Sequence, residues 1–126
     1  MRPRSILLVD DEPLVRECTE LVLTMHGCKV DCVDNGLMAL DLVRSVGTEP
    51  DLLITDISLP VISGPQLALK LREKYPNVKV LFISGFSEEN LDVPIQLDMN
   101  TAFLQKPFSP HKLIKTIEQL LGEEKD

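Results

Sequence analysis

The chain alternates short apolar runs with stretches in which apolar residues recur every three to four positions. Ile6-Leu7-Leu8-Val9 is uninterrupted, as a parallel strand covered on both faces requires, and it stops at Asp10-Asp11-Glu12-Pro13. Leu14, Cys18, Leu21, Val22 and Met25 then predict a helix burying that stripe, closed by His26 and a left-handed Gly27. Cys28, Val30 and Cys32 alternate with Lys29 and Asp31, a second strand. Asn35-Gly36 signals a turn before a helix with Met38, Ala39, Leu42 and Val43 inward.

Leu52-Leu53-Ile54 predicts a third strand running into Thr55-Asp56 and an irregular loop that ends at Gly64. Pro65 suits the first turn of the next helix, whose buried stripe is Leu67, Ala68, Leu71 and Tyr75. The run from Val78 to Ile83 is a fourth strand, stopping at Ser84-Gly85. Ser87 is read as the cap of a short fourth helix bearing Leu91, Ile95 and Leu97, with Pro94 predicting a kink, a shortened helix or irregular backbone there, and a left-handed Asn100 as its stop. Ala102-Phe103-Leu104 is the fifth strand, ending at Lys106-Pro107. Ser109-Pro110 opens a fifth helix with Leu113, Ile114, Ile117, Leu120 and Leu121 inward; Glu123 to Asp126 reads as its solvated end.

Five strands and five helices in alternation predict an α/β fold: a doubly wound, five-stranded parallel sheet in a three-layer sandwich. The 126 residues suit a single domain, 1–126, with a core of about 4–121. In such sheets ligands sit beyond the carboxyl ends of the strands. Asp10 and Asp11 follow the first strand, Asp56 the third, Ser84 ends the fourth and Lys106 follows the fifth. All five are expected on one edge.

Charge narrows the function. A net charge of −7 argues against direct nucleic-acid binding and against contact with anionic membranes. No apolar run reaches the roughly 20 residues of a membrane helix, and the N-terminal run is too short for a signal peptide, so the chain is expected in the cytoplasm. Cys18, Cys28 and Cys32 form no Cys-x-x-Cys pair and are read as reduced, buried thiols. Met25 and Met38 are read as core fillers; His26 and His111 as surface or capping residues.

Three clustered carboxylates need compensation, since a pair about 4 Å apart repels by roughly 4 kcal/mol at an effective dielectric of 20. A hard divalent cation with oxygen ligands and open positions would supply it, and Mg²⁺ fits. Lys106 adds an ammonium. A carboxylate can act as nucleophile toward a phosphoryl group, and Asp56, central and followed by a loop, is the candidate. Taken singly, the acidic pair reads as a helix start and Lys106 as a surface lysine; their joint placement at one edge is what points to chemistry.

Four stretches carry a family resemblance: Leu-Val-Asp-Asp-Glu ending at Glu12, Thr-Asp-Ile-Ser-Leu-Pro from Thr55 with Gly64 beyond, Phe-Ile-Ser-Gly ending at Gly85, and Lys-Pro-Phe ending at Phe108. In that order, at those strand ends, the chain resembles a response-regulator receiver domain, with its flavodoxin-like sandwich. The resemblance implies Asp56 as phosphoacceptor, Mg²⁺ held by Asp10, Asp11, Asp56 and the Ser58 carbonyl, and a hydroxyl at Ser84 that moves toward the phosphoryl group. Lys106 is the matching lysine, and Lys106-Pro107 the bond that is cis in the family. Phe103 fills the aromatic switch position, where tyrosine is common, and can act by ring packing alone. Ser58 and Phe86 stand where water attack on the acyl phosphate is tuned.

The implied function is phosphorelay signal transduction. A histidine kinase or phosphotransfer domain donates the phosphoryl group. The face of the fourth helix, fifth strand and fifth helix then changes toward an unidentified downstream partner. The isolated domain is a phosphoacceptor switch rather than a turnover enzyme; within a hybrid protein it would belong to a histidine kinase. No output domain follows, so the expectation is a stand-alone regulator or a receiver from a longer hybrid kinase, which Ile-Ser-Gly-Phe and Phe-Leu-Gln-Lys-Pro-Phe-Ser-Pro resemble. A haloacid-dehalogenase-type phosphatase would want Asp-x-Asp after the first strand and a cap domain. A flavodoxin-type cofactor binder would want a Ser/Thr/Gly-rich phosphate loop there. An unphosphorylated interaction module would not need the acidic cluster.

Overall fold

A computed structural model describes residues 2–91 and 93–122; the reading of residues 123–126 lies outside them. The strands are β1 (Ser5–Val9), β2 (Lys29–Val33), β3 (Leu52–Asp56), β4 (Lys79–Ser84) and β5 (Thr101–Gln105). All pair in parallel in the order β2-β1-β3-β4-β5. The helices are α1 (Pro13–Met25), α2 (Gly36–Val46), α3 (Gly64–Lys74) and α4 (Pro110–Leu121). Among the described residues none is long and apolar enough to cross a membrane.

Strand alternation divides the core in two. Leu7, Val9, Leu53, Val80 and Phe82 face α2 and α3, which contribute Ala39, Val43, Leu67 and Leu71. Ile6, Leu8, Ile54, Leu81 and Ile83 face α1 and α4, which contribute Leu23, Leu113, Ile117 and Leu120. Burial on both faces is why these strands read as unbroken apolar runs.

Capping fixes where the helices begin. Asn35 is a cap rather than a turn residue: its Oδ1 accepts from the Met38 N–H at 2.9 Å. Ser63 and Gln66 form a reciprocal capping box on α3, satisfying two otherwise orphaned donors. Ser109 caps α4 by accepting from the Lys112 N–H.

Three expectations are corrected. First, four α-helices are described, not five. Between β4 and β5 only Glu88–Asn90 forms a short 3₁₀ turn. Pro94 has no N–H and disfavours helical backbone at Val93, so Leu91 and Ile95 reach the core from extended chain. Asn100 is not left-handed; among described non-glycine residues only Val61 has positive φ, at 71°. Second, α1 buries a different stripe. Thr19 and Leu23 are buried, with Val15 and Val22 half-buried. Leu14, Leu21 and Met25 are 72%, 60% and 76% exposed. The Thr19 hydroxyl donates to the Val15 carbonyl at 2.7 Å, which allows a polar residue to face the sheet and turns the apolar stripe outward. Third, Met38 is exposed, as is Met25. The three cysteines form no disulfide, and none is buried: Cys18 is exposed, and Cys28 and Cys32 are intermediate. Burial, with the charge of Glu20, pushes the Cys32 thiol up to about 12.

Asp51 ties the start of β3 to the start of β1. It accepts from the Ser5 N–H at 2.8 Å and from two Arg2 nitrogens at 2.8 and 2.7 Å. The Arg2 hydrogen bond, chiefly, holds its carboxyl below the ordinary 3.8. A depressed folded value means the stabilisation is complete above that ordinary value and is lost as pH falls through the folded one. Asp51→Asn should therefore lower stability at neutral pH by about 1 kcal/mol and flatten the acid limb of the stability curve. Urea melts from pH 7 to 3 check both.

Candidate functional site

Each acidic or basic residue at the carboxyl edge is fixed through its backbone. Asp10 follows β1, and its N–H donates to the Val33 carbonyl. Asp56 is the last residue of β3, in register with Ile83, and the next N–H, of Ile57, donates to the Ile83 carbonyl at 3.0 Å. The Lys106 N–H donates to the Ser84 carbonyl at 2.7 Å. Strand order reverses between β1 and β3, so Asp10, Asp11 and Asp56 meet at the switch point of the sheet.

Gly64 closes this wall. Its N–H donates to the Ile57 carbonyl at 2.9 Å. A Cβ there would stand 2.2 Å from the Asp56 carbonyl oxygen and 3.0 Å from its carbonyl carbon. Only glycine lets α3 start this close to the phosphoacceptor candidate.

One carboxylate oxygen from each of Asp10, Asp11 and Asp56 lies within 4.8 Å of the others. Asp10 is fully buried, Asp56 is 6% exposed, and Asp11 is exposed. Lys106 Nζ lies 2.9 Å from Asp56 Oδ2, 3.2 Å from Asp10 Oδ2 and 2.8 Å from Glu12 Oε1. Asp10 Oδ2, despite that proximity, makes no hydrogen bond of acceptable geometry. Asp10 Oδ1 accepts from the Glu12 N–H at 2.9 Å.

The charges are unevenly matched. Burial is the main force pushing the Asp56 carboxyl above its ordinary range; Lys106 opposes it, while Asp10 and Asp11 add to it. Burial alone would lower the Lys106 ammonium, but its hydrogen bonds to Glu12 and Asp56 and the charge of Asp10 outweigh that and hold it high. Three carboxylates share one ammonium, leaving net negative charge and an unsatisfied buried oxygen. That is the electrostatic profile of a hard-cation site.

Two residues with no assigned role in the sequence reading belong here. Glu12 is the third carboxylate on Lys106. Arg16 donates to the Asp10 carbonyl at 2.7 Å, placing a second cation behind the cluster. The spacing Asp10 to Arg16, crossing the first turn of α1, was the available signal for the latter.

The response regulator receiver domain family matches residues 6–118. The chain belongs to this family. It is 32% identical over 120 residues to the sensor kinase CckA of Brucella abortus, covering 95% of this chain but 13% of that protein. It is 33% identical to the receiver protein CpdR of the same organism, covering 94% of this chain and 97% of that one. The solved response regulator TrrA of Thermotoga maritima, in complex with Mg²⁺-BeF, superposes with a TM-score of 0.76 at 30% identity, covering 94% and 99% of the two chains. The match thus spans a small part of the kinase and nearly all of CpdR.

The remaining expected residues of the receiver lie as follows. Ser84 is buried at the end of β4, and its Oγ accepts from the Phe86 N–H at 3.0 Å. Phe103 is half-buried against the core, in register with Phe82. The Lys106–Pro107 bond is cis. Ser58 is exposed two residues beyond Asp56. Phe86 is 63% exposed beside Ser84.

Proposed function

We propose that this receiver accepts a phosphoryl group on Asp56 from the phosphohistidine of a histidine kinase or phosphotransfer domain, with Mg²⁺ held by Asp10, Asp11, Asp56 and the Ser58 carbonyl. The observation that carries this reading is the buried Asp56 carboxylate, bonded to Lys106 while the Asp10 and Asp11 oxygens converge on it. The donor set fits the ion: all oxygen, two to three carboxylates, and one buried oxygen without a hydrogen bond. A relative of the same family, TrrA, carries Mg²⁺-BeF. When bound, Mg²⁺ offsets carboxylate and phosphoryl charge.

The chain's own residues do the rest. An Asp56 Oδ forms a bond to phosphorus as the P–N bond breaks, and the electron pair leaves with the donor imidazole. Lys106 donates to a phosphoryl oxygen, placing a fixed positive charge where negative charge accumulates. The Ser84 hydroxyl, already accepting from Phe86, keeps its proton free to donate to another. Drawing Ser84 in would release Phe103 to repack against the core. With no α-helix among the described residues between β4 and β5, the output face is built from the chain around Leu91 and Ile95, β5 and α4. The domain holds one phosphoryl group as a switch rather than turning over substrate, and it works in the cytoplasm. It acts either alone, like CpdR, or within a longer hybrid kinase.

Phe86, bulky and apolar at the mouth, should slow water attack. The phosphorylated wild type should outlive Phe86→Glu several-fold, followed by loss of the adduct over time; equal half-lives would refute this role. To test the function itself, the protein is incubated with acetyl phosphate and Mg²⁺, digested and mapped by mass. A hydroxylamine-labile phosphoryl group should fall on the peptide bearing Asp56. A hydroxylamine-stable adduct on another residue contradicts the reading.

A further inference from the structure

Lys106 stands among three carboxylates, and donor counting gives that arrangement a consequence. An ammonium has three donors and no acceptor. Here it donates to three carboxylates: Glu12 Oε1 at 2.8 Å, Asp56 Oδ2 at 2.9 Å and, most weakly, Asp10 Oδ1 at 3.4 Å. No donor is spare. Phosphorylation makes one Asp56 oxygen the ester oxygen and sets charged phosphoryl oxygens beyond it, so an ammonium that follows that charge outward must loosen a contact it now makes. The Asp10 and Asp56 side chains are 0% and 8% exposed, whereas that of Glu12 is 59% exposed. Water can take over the Glu12 carboxylate at little cost, as for exposed ion pairs generally. Asp10 is fully buried, out of reach of water, so the exposed Glu12 contact is the one that solvent can replace.

We propose, resting on the phosphoacceptor reading of Asp56, that Glu12 is a positioning residue. It holds the Lys106 ammonium in the unloaded receiver and is the contact surrendered when the phosphoryl group arrives. Glu12 stands at the N-cap of α1, yet its side chain makes no capping hydrogen bond; it is committed to Lys106 instead. The pair joins the turn before α1 to the turn before α4. Both residues also line the mouth of a groove of about 540 Å³ between those helices, walled by Leu14, Val15, Val22 and Phe108. Loading the site therefore unties α1 from the β5–α4 turn, a route to the α1 face that bypasses the segment between β4 and β5.

Because the contact exists only in the unloaded state, weakening it should favour loading. Beryllofluoride with Mg²⁺ serves as the phosphoryl mimic, titrated into the full chain and followed by amide NMR. Glu12→Gln should bind it two- to fivefold more tightly than wild type, the range expected of an exposed ion pair. The gap should narrow in about 0.5 M KCl, where screening is strong. Glu12→Asp keeps the charge but falls short of Lys106, and should behave like Glu12→Gln. Equal or weaker binding by Glu12→Gln would overturn the proposal. So would an Asp variant indistinguishable from wild type, which would assign the effect to charge at the mouth alone. A wild type that shows no saturable response would remove the phosphoacceptor reading itself, and this proposal with it; a responding wild type with unresponsive variants sinks only the role of Glu12.

Discussion

Replacing Lys106 by alanine is expected to slow loading of Asp56 from acetyl phosphate by about a hundredfold or more, and in the absence of Mg²⁺ to destabilise the fold by about 3 kcal/mol. The rate loss follows from removing a preorganised donor aimed at developing phosphoryl charge, an effect of about 10²–10³ in comparable sites. The stability loss follows from burial. The Lys106 side chain is 10% exposed, and its partners Asp10 and Asp56 are 0% and 8%. Deleting one member of such a cluster leaves its partners charged and unmatched, at a cost of about 3–5 kcal/mol. Added Mg²⁺ should recover part of that stability, because a cation would again sit among the carboxylates. Urea melts with and without Mg²⁺, beside a loading time course, check both halves. Unaltered loading, or stability indifferent to Mg²⁺, contradicts the assigned role.

Gly64→Ala is expected to be nearly as damaging although it touches no charge. The added methyl would meet the Asp56 carbonyl oxygen at 2.2 Å and the Ile57 Cα at 3.1 Å, all backbone atoms that cannot turn aside. Either α3 backs away from β3 or Asp56 shifts. Overpacking of this kind costs about 1–3 kcal/mol, and displacement of a reacting group by even about 1 Å costs about a hundredfold in rate. Lower thermal stability together with slower loading is the predicted pair of results. A variant that loads normally at full stability would show that the loop has slack not visible in its geometry.

The strands and the meeting of Asp10, Asp11, Asp56 and Lys106 at one edge could be read from the sequence because buried parallel strands carry a strong signal and end abruptly in polar residues. Val9 to Asp10, Ile54 to Asp56 and Leu104 to Lys106 each mark where chain leaves the sheet, and parallel topology puts those exits on one edge. What failed depended on side-chain context. The α1 stripe was misplaced because Thr19 counted as polar, while its hydroxyl is satisfied by the Val15 carbonyl within the helix. Leu91, Ile95 and Leu97 carry a helical spacing, but the backbone restriction at Pro94, itself a signal for irregular backbone, outweighs it. Asn35 is legible as a turn signal, not as a cap, because capping depends on which N–H the side chain meets. The Glu12 contact could not be inferred at all: it joins residues 94 positions apart and depends on where a long lysine side chain ends.

The account rests on Asp56 carrying the phosphoryl group through a metal-assisted step, and intact mass spectrometry addresses it most directly. After incubation with acetyl phosphate and Mg²⁺, wild-type protein should gain the mass of one phosphoryl group, and neither Asp56→Asn nor wild type treated with EDTA should gain it. Because Asn removes a buried carboxylate whose charged form burial disfavours, that variant should stay folded and melt no lower than wild type. An adduct that persists in folded Asp56→Asn, or one that forms equally well in EDTA, would contradict the central claim.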